Sequence, residues 1–408
     1  MKLNVSDCRI FCKYCKTEIA IDNQEQICPK CTEILDHTHN GVVLQKSDVQ
    51  FLKELESLLR GEEIPIQNGT YGYDFGLNHE GTRITNLKLC NKKLNSLPES
   101  ISQLTNLISL DLSHNQFLSL PESLLQLTNL KYLYLGFNHL TSLPESISQL
   151  SNLEKLFLNH NQLSFLPENI GKLTNLMTLY LGNNLLSSLP DNISQLSNLE
   201  KLFLNHNHFL SLPKNIGKLN NLKELYLNSN QLSSIPESIS HLNNLEEIDL
   251  ENNQFSSIPE SISQLSKLEQ LDLSNNQLTF ISVSIGRLTN LKYLHLHHNR
   301  ISSIPEDIAL IKNLKYLYLS HNNLSSIQEG LLMINNLKEL YLSHNKISSI
   351  PESISRLTDL IFLDLSHNQL SYLPESLSQL TDLIELNLVG NHISSIPECI
   401  LEITNVEF

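Results

Sequence analysis

Asn115, Asn138, Asn161 and ten further asparagines up to Asn391 follow one another at 23-residue intervals, and the interval never slips. A strict period of this length constrains the fold more than any other property of the chain. A 23-residue unit cannot bury its own apolar side chains, so successive units must stack and share one elongated core. The length of 408 residues, more than one compact core usually reaches, agrees with an open-ended array. An earlier copy, ITNLKLCNKKLNSLP from Ile84, has Lys92 where the asparagine should stand, as terminal repeats often depart from the pattern.

The copy LISLDLSHNQFLSLPESLLQLTN at 107–129 shows what one unit builds. Leu110 and Leu112 alternate with Ser109, Asp111 and Ser113, which marks a short strand with leucines inward and polar groups outward. Asn115 follows where the chain turns, and its amide can pair with backbone groups that the turn leaves bare. Leu120-Pro121 turns the chain again, and Leu124, Leu127 and Leu130 return at a spacing that suits a helical or 3₁₀ segment. The expected fold is an α/β solenoid with a parallel sheet on its concave side, roughly 60 Å long over fourteen rows.

The pattern, recurring in phase over 84–408, resembles the leucine-rich repeat family in its 23-residue form. The Leu-Pro variant is similar to the intracellular class of plant Ras-group-related repeat proteins and of scaffolds such as Scribble and Erbin. That resemblance implies a leucine-rich repeat horseshoe of about fourteen rows. It also implies recognition of a protein partner on the concave face, in signalling around small GTPases or kinases. Ser282 and Gln328 replace the proline of the pattern, so the convex side is expected to differ locally there.

Two further segments precede the array. Residues 40–83 read as an N-terminal cap. SDVQFLKELESLLR is expected as a helix with a capping box from Ser47 and Gln50 and an apolar face of Phe51, Leu55, Leu58 and Leu59, stopping at Gly61. TYGYDFGL and TRITNLKL flank NHEG as a β-hairpin whose second strand opens the array. At the other end, PECILEITNVEF stops as a further strand would begin, with Val406 and Phe408 closing the last row imperfectly.

Residues 1–39 hold CKYCKTEIAIDNQEQICPKC, two CxxC pairs twelve residues apart. Each such turn can aim two thiolates at one ion, and pairing of EIAI with QEQI would bring the turns together. Four sulfur ligands suit structural Zn²⁺, with iron in a rubredoxin-like site as the alternative. The spacing resembles zinc-ribbon modules, which by residue match implies Cys12, Cys15, Cys28 and Cys31 as the ligands. Cys8, His37 and His39 are available as substitute ligands, and the simpler reading leaves them free.

Between the strand leucines, five consecutive rows carry a ring: Tyr134, Phe157, Tyr180, Phe203 and Tyr226. Tyr132 lies beside them, and Asp249 and Glu251 belong to an acidic patch in the rows that follow. Exposed aromatic rows with polar neighbours are the material of interface hot spots, so these eight residues are the expected partner-binding set. SNLEKLFLNHN recurs identically at 151–161 and 197–207, so duplication and cross-row packing are the competing explanation for the rings. Histidine stands just before the ladder asparagine at His114, His160, His206, His298, His321, His344 and His367, and reads as a copied, half-exposed loop residue rather than a metal or pH-sensing column. HLHHN is the richest spot, where His295 and His297 share a face with Asp272.

The formal net charge of −15 argues against general affinity for nucleic acid or anionic lipid. Neither a secretory leader nor a membrane-length apolar run is recognised, so a cytoplasmic monomer is expected. The IGKL segments lack the first glycine and the Ser/Thr of a phosphate loop, and there is no G-x-S-x-G or H-E-x-x-H. A non-catalytic scaffold is therefore the leading reading. The alternative is a nucleic-acid or ubiquitin-pathway factor acting through the ribbon, with Arg9, Lys13, Lys16 and Lys30 as cations and Phe11 and Tyr14 to stack. Glu18, Asp22, Glu25 and Glu33 dilute that patch, and four ligands are too few for a RING module.

Overall fold

We describe a computed structural model of the chain over residues 10–11, 18–19, 38–40, 42–66, 75–400 and 405–407. The four cysteines expected as metal ligands, Cys12, Cys15, Cys28 and Cys31, lie outside the described residues. The chain divides into two compact units, residues 1–161 and 162–408.

In the first unit, Ile10–Phe11 pairs antiparallel with Glu18–Ile19. The connecting segment 12–17 carries Cys12 and Cys15. The expected pairing of EIAI with QEQI lies outside the described residues beyond Glu18–Ile19.

Helix α1 spans Lys46–Leu58. It starts ahead of Ser47, which puts Ser47 in the first turn rather than at the cap. The expected capping box does not form: the Ser47 hydroxyl donates to Asp48 at 3.0 Å and the Gln50 amide to Glu54 at 2.6 Å. Its buried residues are Asp48, Val49, Phe51, Leu52 and Leu55, with Leu59 joining them beyond the last turn, while Leu58 is 48% exposed. The apolar face is therefore rotated from the expected one, because the stripe follows helical spacing from Asp48. That carboxylate is fully buried and accepts from the Ile84 N–H at 2.9 Å and Arg83 Nε at 3.3 Å, which fastens the helix to the hairpin. Past the helix, Arg60 is left-handed (φ 59°) and the Gly61 N–H returns to the Glu56 carbonyl at 2.8 Å, closing it as a Schellman turn.

Phe75–Glu80 and Arg83–Leu89 form the hairpin, with Gly81 left-handed at φ 58° in its turn. Asn78, His79 and Glu80 prolong the first strand, so the turn sits later than NHEG. Arg83–Leu89 then pairs in parallel with Ser109–Asp111, and Tyr132–Tyr134 and Lys155–Phe157 follow.

The second unit is eleven strands in parallel register, from Thr178–Tyr180 to Asn405–Glu407. Asn405–Glu407 pairs with Glu385–Asn387, so the chain end forms one strand more than expected. The central residue of each strand faces inward: Leu202, Leu225 and Ile248 are fully buried. The return segments are 3₁₀ turns such as Glu237–His241, begun by Pro236 at φ −67°, ψ 148°. Among the described residues α1 is the one α-helix, so the rows are β/3₁₀ rather than β/α. Ser282 holds the proline conformation (φ −65°, ψ 146°) and its hydroxyl accepts from the Ser284 N–H, so that row keeps a five-residue turn. Gln328 precedes a three-residue turn, Leu331–Met333, but the proline rows at Pro121 and Pro213 have equally short ones.

The asparagine period has a specific cause. Asn230 donates to the carbonyls of Leu204 and Leu227, at 3.0 and 2.9 Å, and accepts from the Phe209 N–H at 3.1 Å. The same pattern holds at Asn253, Asn276, Asn299, Asn322, Asn345 and Asn368. One amide therefore reaches 26 and 21 residues back, on both sides of the preceding turn. A one-residue insertion would break both contacts, and buried backbone groups without partners are costly.

A second ladder runs along the other end of the rows. Asn198, Asn221, Asn244, Asn290, Asn313 and Asn336 each donate to the carbonyl 24 residues earlier, at 2.7–2.9 Å. The sequence signal is the asparagine itself, immediately before a leucine, after Ser, Thr, Asn or Lys. The glycine of IGKL also proves architectural: a Cβ on Gly217 would lie 1.9 Å from the Ser238 carbonyl oxygen in the next row.

Candidate protein-interaction face

The residues flanking each central leucine point to the open face of the sheet, and there the expected partner-binding residues are found. In the first unit Tyr132 and Tyr134 are half-buried around fully buried Leu133, and Tyr134 stacks on Phe157 with centroids 4.6 Å apart. Tyr132 donates to Glu154 at 3.1 Å, and Glu154 pairs with Lys131 at 2.8 Å, which holds the Glu154 carboxyl below its ordinary pKa.

In the second unit Tyr180, Phe203 and Tyr226 form a three-ring stack, with centroids 3.9 and 4.5 Å apart and planes within 8°. Strand register sets this spacing, because Tyr180, Phe203 and Tyr226 are directly paired. The rings cover one another's faces and leave their rims to solvent. Cross-row packing and exposure thus coexist in the same residues. Burial raises the phenol pKa of Tyr180 and Tyr226, and at Tyr226 the hydrogen bond to Glu247 adds to it.

The next row changes chemistry. Asp249 stands in register between Tyr226 and Asp272, and oxygens of Asp249, Glu251 and Asp272 lie within 4.8 Å of one another. Burial, with the Asp272 and Glu251 charges behind it, pushes the Asp249 carboxyl up to about 7. The residue also has a backbone role: Asp249 accepts from the Glu251 N–H at 2.9 Å, as Asp272 does from Ser274, Asp364 from Ser366 and Asn387 from Val389. An acceptor at this position caps the strand end, a signal legible as Asp two residues before a turn residue.

Beyond the acidic row a second aromatic group stacks: Tyr293 on Tyr316, and His295 on Tyr318 on Tyr341. His295 and His297 meet edge-on at 6.3 Å, and burial holds both below the ordinary imidazole pKa. They do not join Asp272 as a ligand trio; among the described residues the only metal-capable group of three is Asp249, Glu251 and Asp272.

The recurrent histidines before the ladder asparagine have a backbone explanation that copying alone does not give. That position is left-handed in every row, with φ 52° at His298, 56° at His321, 51° at His344 and 52° at His367. Asparagine, histidine and glycine tolerate this region best, and Asn183, Asn252, Asn275 and Gly390 occupy it elsewhere. The rings of His298, His321, His344 and His367 stack in turn at 4.1–4.2 Å. Phe137 takes the same position at φ 57°, stacked between His114 and His160.

Stacked parallel strands, 3₁₀ returns and an asparagine ladder define a repeat solenoid with an open sheet face. Models of the leucine-rich repeat match residues 82–140 and, in overlapping segments, 248–393; a leucine-rich repeat region model matches 126–211, and a two-copy model 220–264. The chain belongs to the leucine-rich repeat family. A solved leucine-rich repeat protein of Leptospira interrogans is 34% identical, with a TM-score of 0.70 over 79% of this chain and 95% of that one. An internalin, InlF of Listeria monocytogenes, is 26% identical, with a TM-score of 0.67 over 82% and 94%. The plant peptide hormone receptor RGFR1, solved in complex with RGF2, is 29% identical, with a TM-score of 0.64 over 79% and 62%. None of the curated proteins matches the chain.

Proposed function

We propose that the protein is a non-catalytic interaction scaffold that binds a protein partner on the open, concave face of its repeat sheet. The carrying observation is the Tyr180–Phe203–Tyr226 stack beside Asp249 and Glu251, a surface with apolar area and directional charge. Rigid aromatic rows cost little side-chain entropy on binding, and such residues dominate interface energetics. The solved relative in complex with a peptide hormone supports use of this architecture for polypeptide recognition. The working setting is the cytoplasm, in signalling around small GTPases or kinases. Cys12, Cys15, Cys28 and Cys31 hold a structural Zn²⁺ in this reading; metal analysis of the purified chain should give one zinc per molecule, and none would end that part of it.

Partners captured from the protein's own cell by the wild type should be lost by Tyr180→Ala/Tyr226→Ala, with the melting transition still cooperative. Retention of the same partners by that variant would remove this face from the reading.

A further inference from the structure

Three carboxylates at the strands of the second unit are each matched by a lysine. Glu224 pairs with Lys201 at 2.6 Å, Glu200 with Lys223 at 3.1 Å and Glu269 with Lys292 at 2.7 Å. Asp249, Glu251 and Asp272 differ in being clustered with one another rather than with a cation. They accept from neutral donors: the Glu251 N–H to Asp249, the Ser274 N–H and hydroxyl to Asp272, and the Asn275 amide to Glu251. No lysine or arginine among the described residues forms an ion pair with any of the three. Three half-buried carboxyls within 4.8 Å of one another repel, and the fold does not supply the charge that would relieve them. The aromatic rows stand beside them in register, Tyr226 against Asp249.

Resting on the interaction-face reading, we infer that the partner is a polypeptide segment bearing arginine or lysine: its cation seats against Asp249, Glu251 and Asp272, and its adjacent planar or apolar side chains lie on the Tyr180–Phe203–Tyr226 rims. Charge complementarity selects the cation. A guanidinium can bridge carboxylates on neighbouring rows with parallel hydrogen bonds, and it stacks on ring edges and faces. The path from the Tyr180 row to the Asp272 row is four strand steps, about 19 Å, the reach of about six extended residues. An arginine near one end of such a segment and aromatic or aliphatic residues near the other would span it.

The test is selection of a phage-displayed library of random twelve-residue peptides on the immobilised full chain, followed by binding of the enriched peptides to variants. Enriched peptides should carry arginine or lysine with aromatic or apolar neighbours. Asp249→Asn/Asp272→Asn should weaken them at least tenfold, while Glu352→Gln/Glu375→Gln, an equal charge change at exposed turn residues, should leave them unchanged. Both asparagines can still accept the strand-end N–H, as Asn387 does, so the fold is kept. Enrichment of uncharged or acidic sequences, or no enrichment, overturns the inference. Peptides lost by Tyr180→Ala/Tyr226→Ala but unmoved by Asp249→Asn/Asp272→Asn overturn the cation seat and leave the interaction face standing. Peptides unmoved by either pair overturn both. Ca²⁺, Mg²⁺ or Zn²⁺ binding to the wild type but not to the asparagine variant, and displacing the peptides, overturns it in favour of a metal site.

Discussion

Rows of the second unit are tied to their neighbours by asparagine at two places, and the two ties differ in what surrounds them. Asn230, at the strand end, is buried and satisfies three backbone groups at once. Asn244, at the turn end, is half-exposed and donates to the Asn220 carbonyl at 2.8 Å. The same side chain at the same period therefore does two different jobs. Where water is excluded, the amide is the sole means of pairing the backbone, and no row of the second unit from 184 to 391 substitutes it. Where water is present the backbone has another partner, and the position varies: Lys267, Asp359 and Asp382 stand there in other rows.

The largest break in this comparison should come from Asn230→Ala. It strands two carbonyls and one N–H in the core, and at 1–3 kcal/mol per buried group, with partial relaxation, the expected loss is about 3 kcal/mol. Chemical denaturation should report it, and a loss under about 1 kcal/mol would mean that water enters the ladder.

A half-buried case lies between the extremes at Asp249, whose carboxyl also accepts a backbone N–H but carries an unrelieved charge. Its folded pKa, about 7, is above the ordinary aspartate value. Between that ordinary value and 7 the folded state holds a proton that the unfolded state has released, so this residue's contribution to stability falls as pH rises. Below the unfolded pKa the penalty is absent, and above pH 7 it is fully present. Asp249→Asn keeps the hydrogen bond and removes the charge. Thermal melts should show it about 1–2 kcal/mol more stable than wild type at pH 8 and equal to it near pH 4, after discounting for partial exposure. A constant difference across that range would place the destabilisation in packing instead.

At His321 the backbone alone decides. The left-handed φ of 56° disfavours a β-branched side chain. His321→Val should cost about 1–2 kcal/mol, whereas His321→Gly should be close to neutral. Equal losses in the two variants would show that the stack on His298 and His344, rather than φ, is what the histidine provides.

These sites also mark what a single sequence discloses. The buried ladder was legible because its geometric tolerance is nearly zero, so Asn115 to Asn391 repeat without error and set the row count. The open-face position of Tyr180, Phe203, Tyr226, Asp249 and Glu251 was legible from alternation with leucine, since strand side chains change face at every residue. The left-handed φ behind the histidine column is not legible, because His, Asn, Ser, Gly and Phe share no obvious chemistry until the backbone is seen. Nor is the rotation of α1, where a buried Asp48 bonded to Ile84 looks, in sequence, like an ordinary first-turn acid. Asp272 is legible as an open-face residue in the row after Asp249; its grouping with Asp249 and Glu251 depends on side-chain reach across rows, which spacing does not encode.

The smallest expected effect is the sharpest test of the two-ladder comparison. Asn244→Ala removes one bond to a carbonyl that water can reach, and a bond of that kind contributes about 0.5–1 kcal/mol net. Lys267 complicates the site usefully, because its ammonium donates to the Asn244 side-chain oxygen at 2.7 Å. Asn244→Asp would strengthen that contact while deleting the donor to Asn220. If the turn-end ladder works through the backbone bond, Asn244→Ala and Asn244→Asp should lose similar small amounts in denaturant melts at moderate salt. If it works through the lysine bridge, Asn244→Asp should be neutral or stabilising, and the gain should fade as salt screens the pair. A loss at Asn244 as large as that at Asn230 would show that the turn end is no more forgiving than the core, and the contrast between the two ladders would not hold.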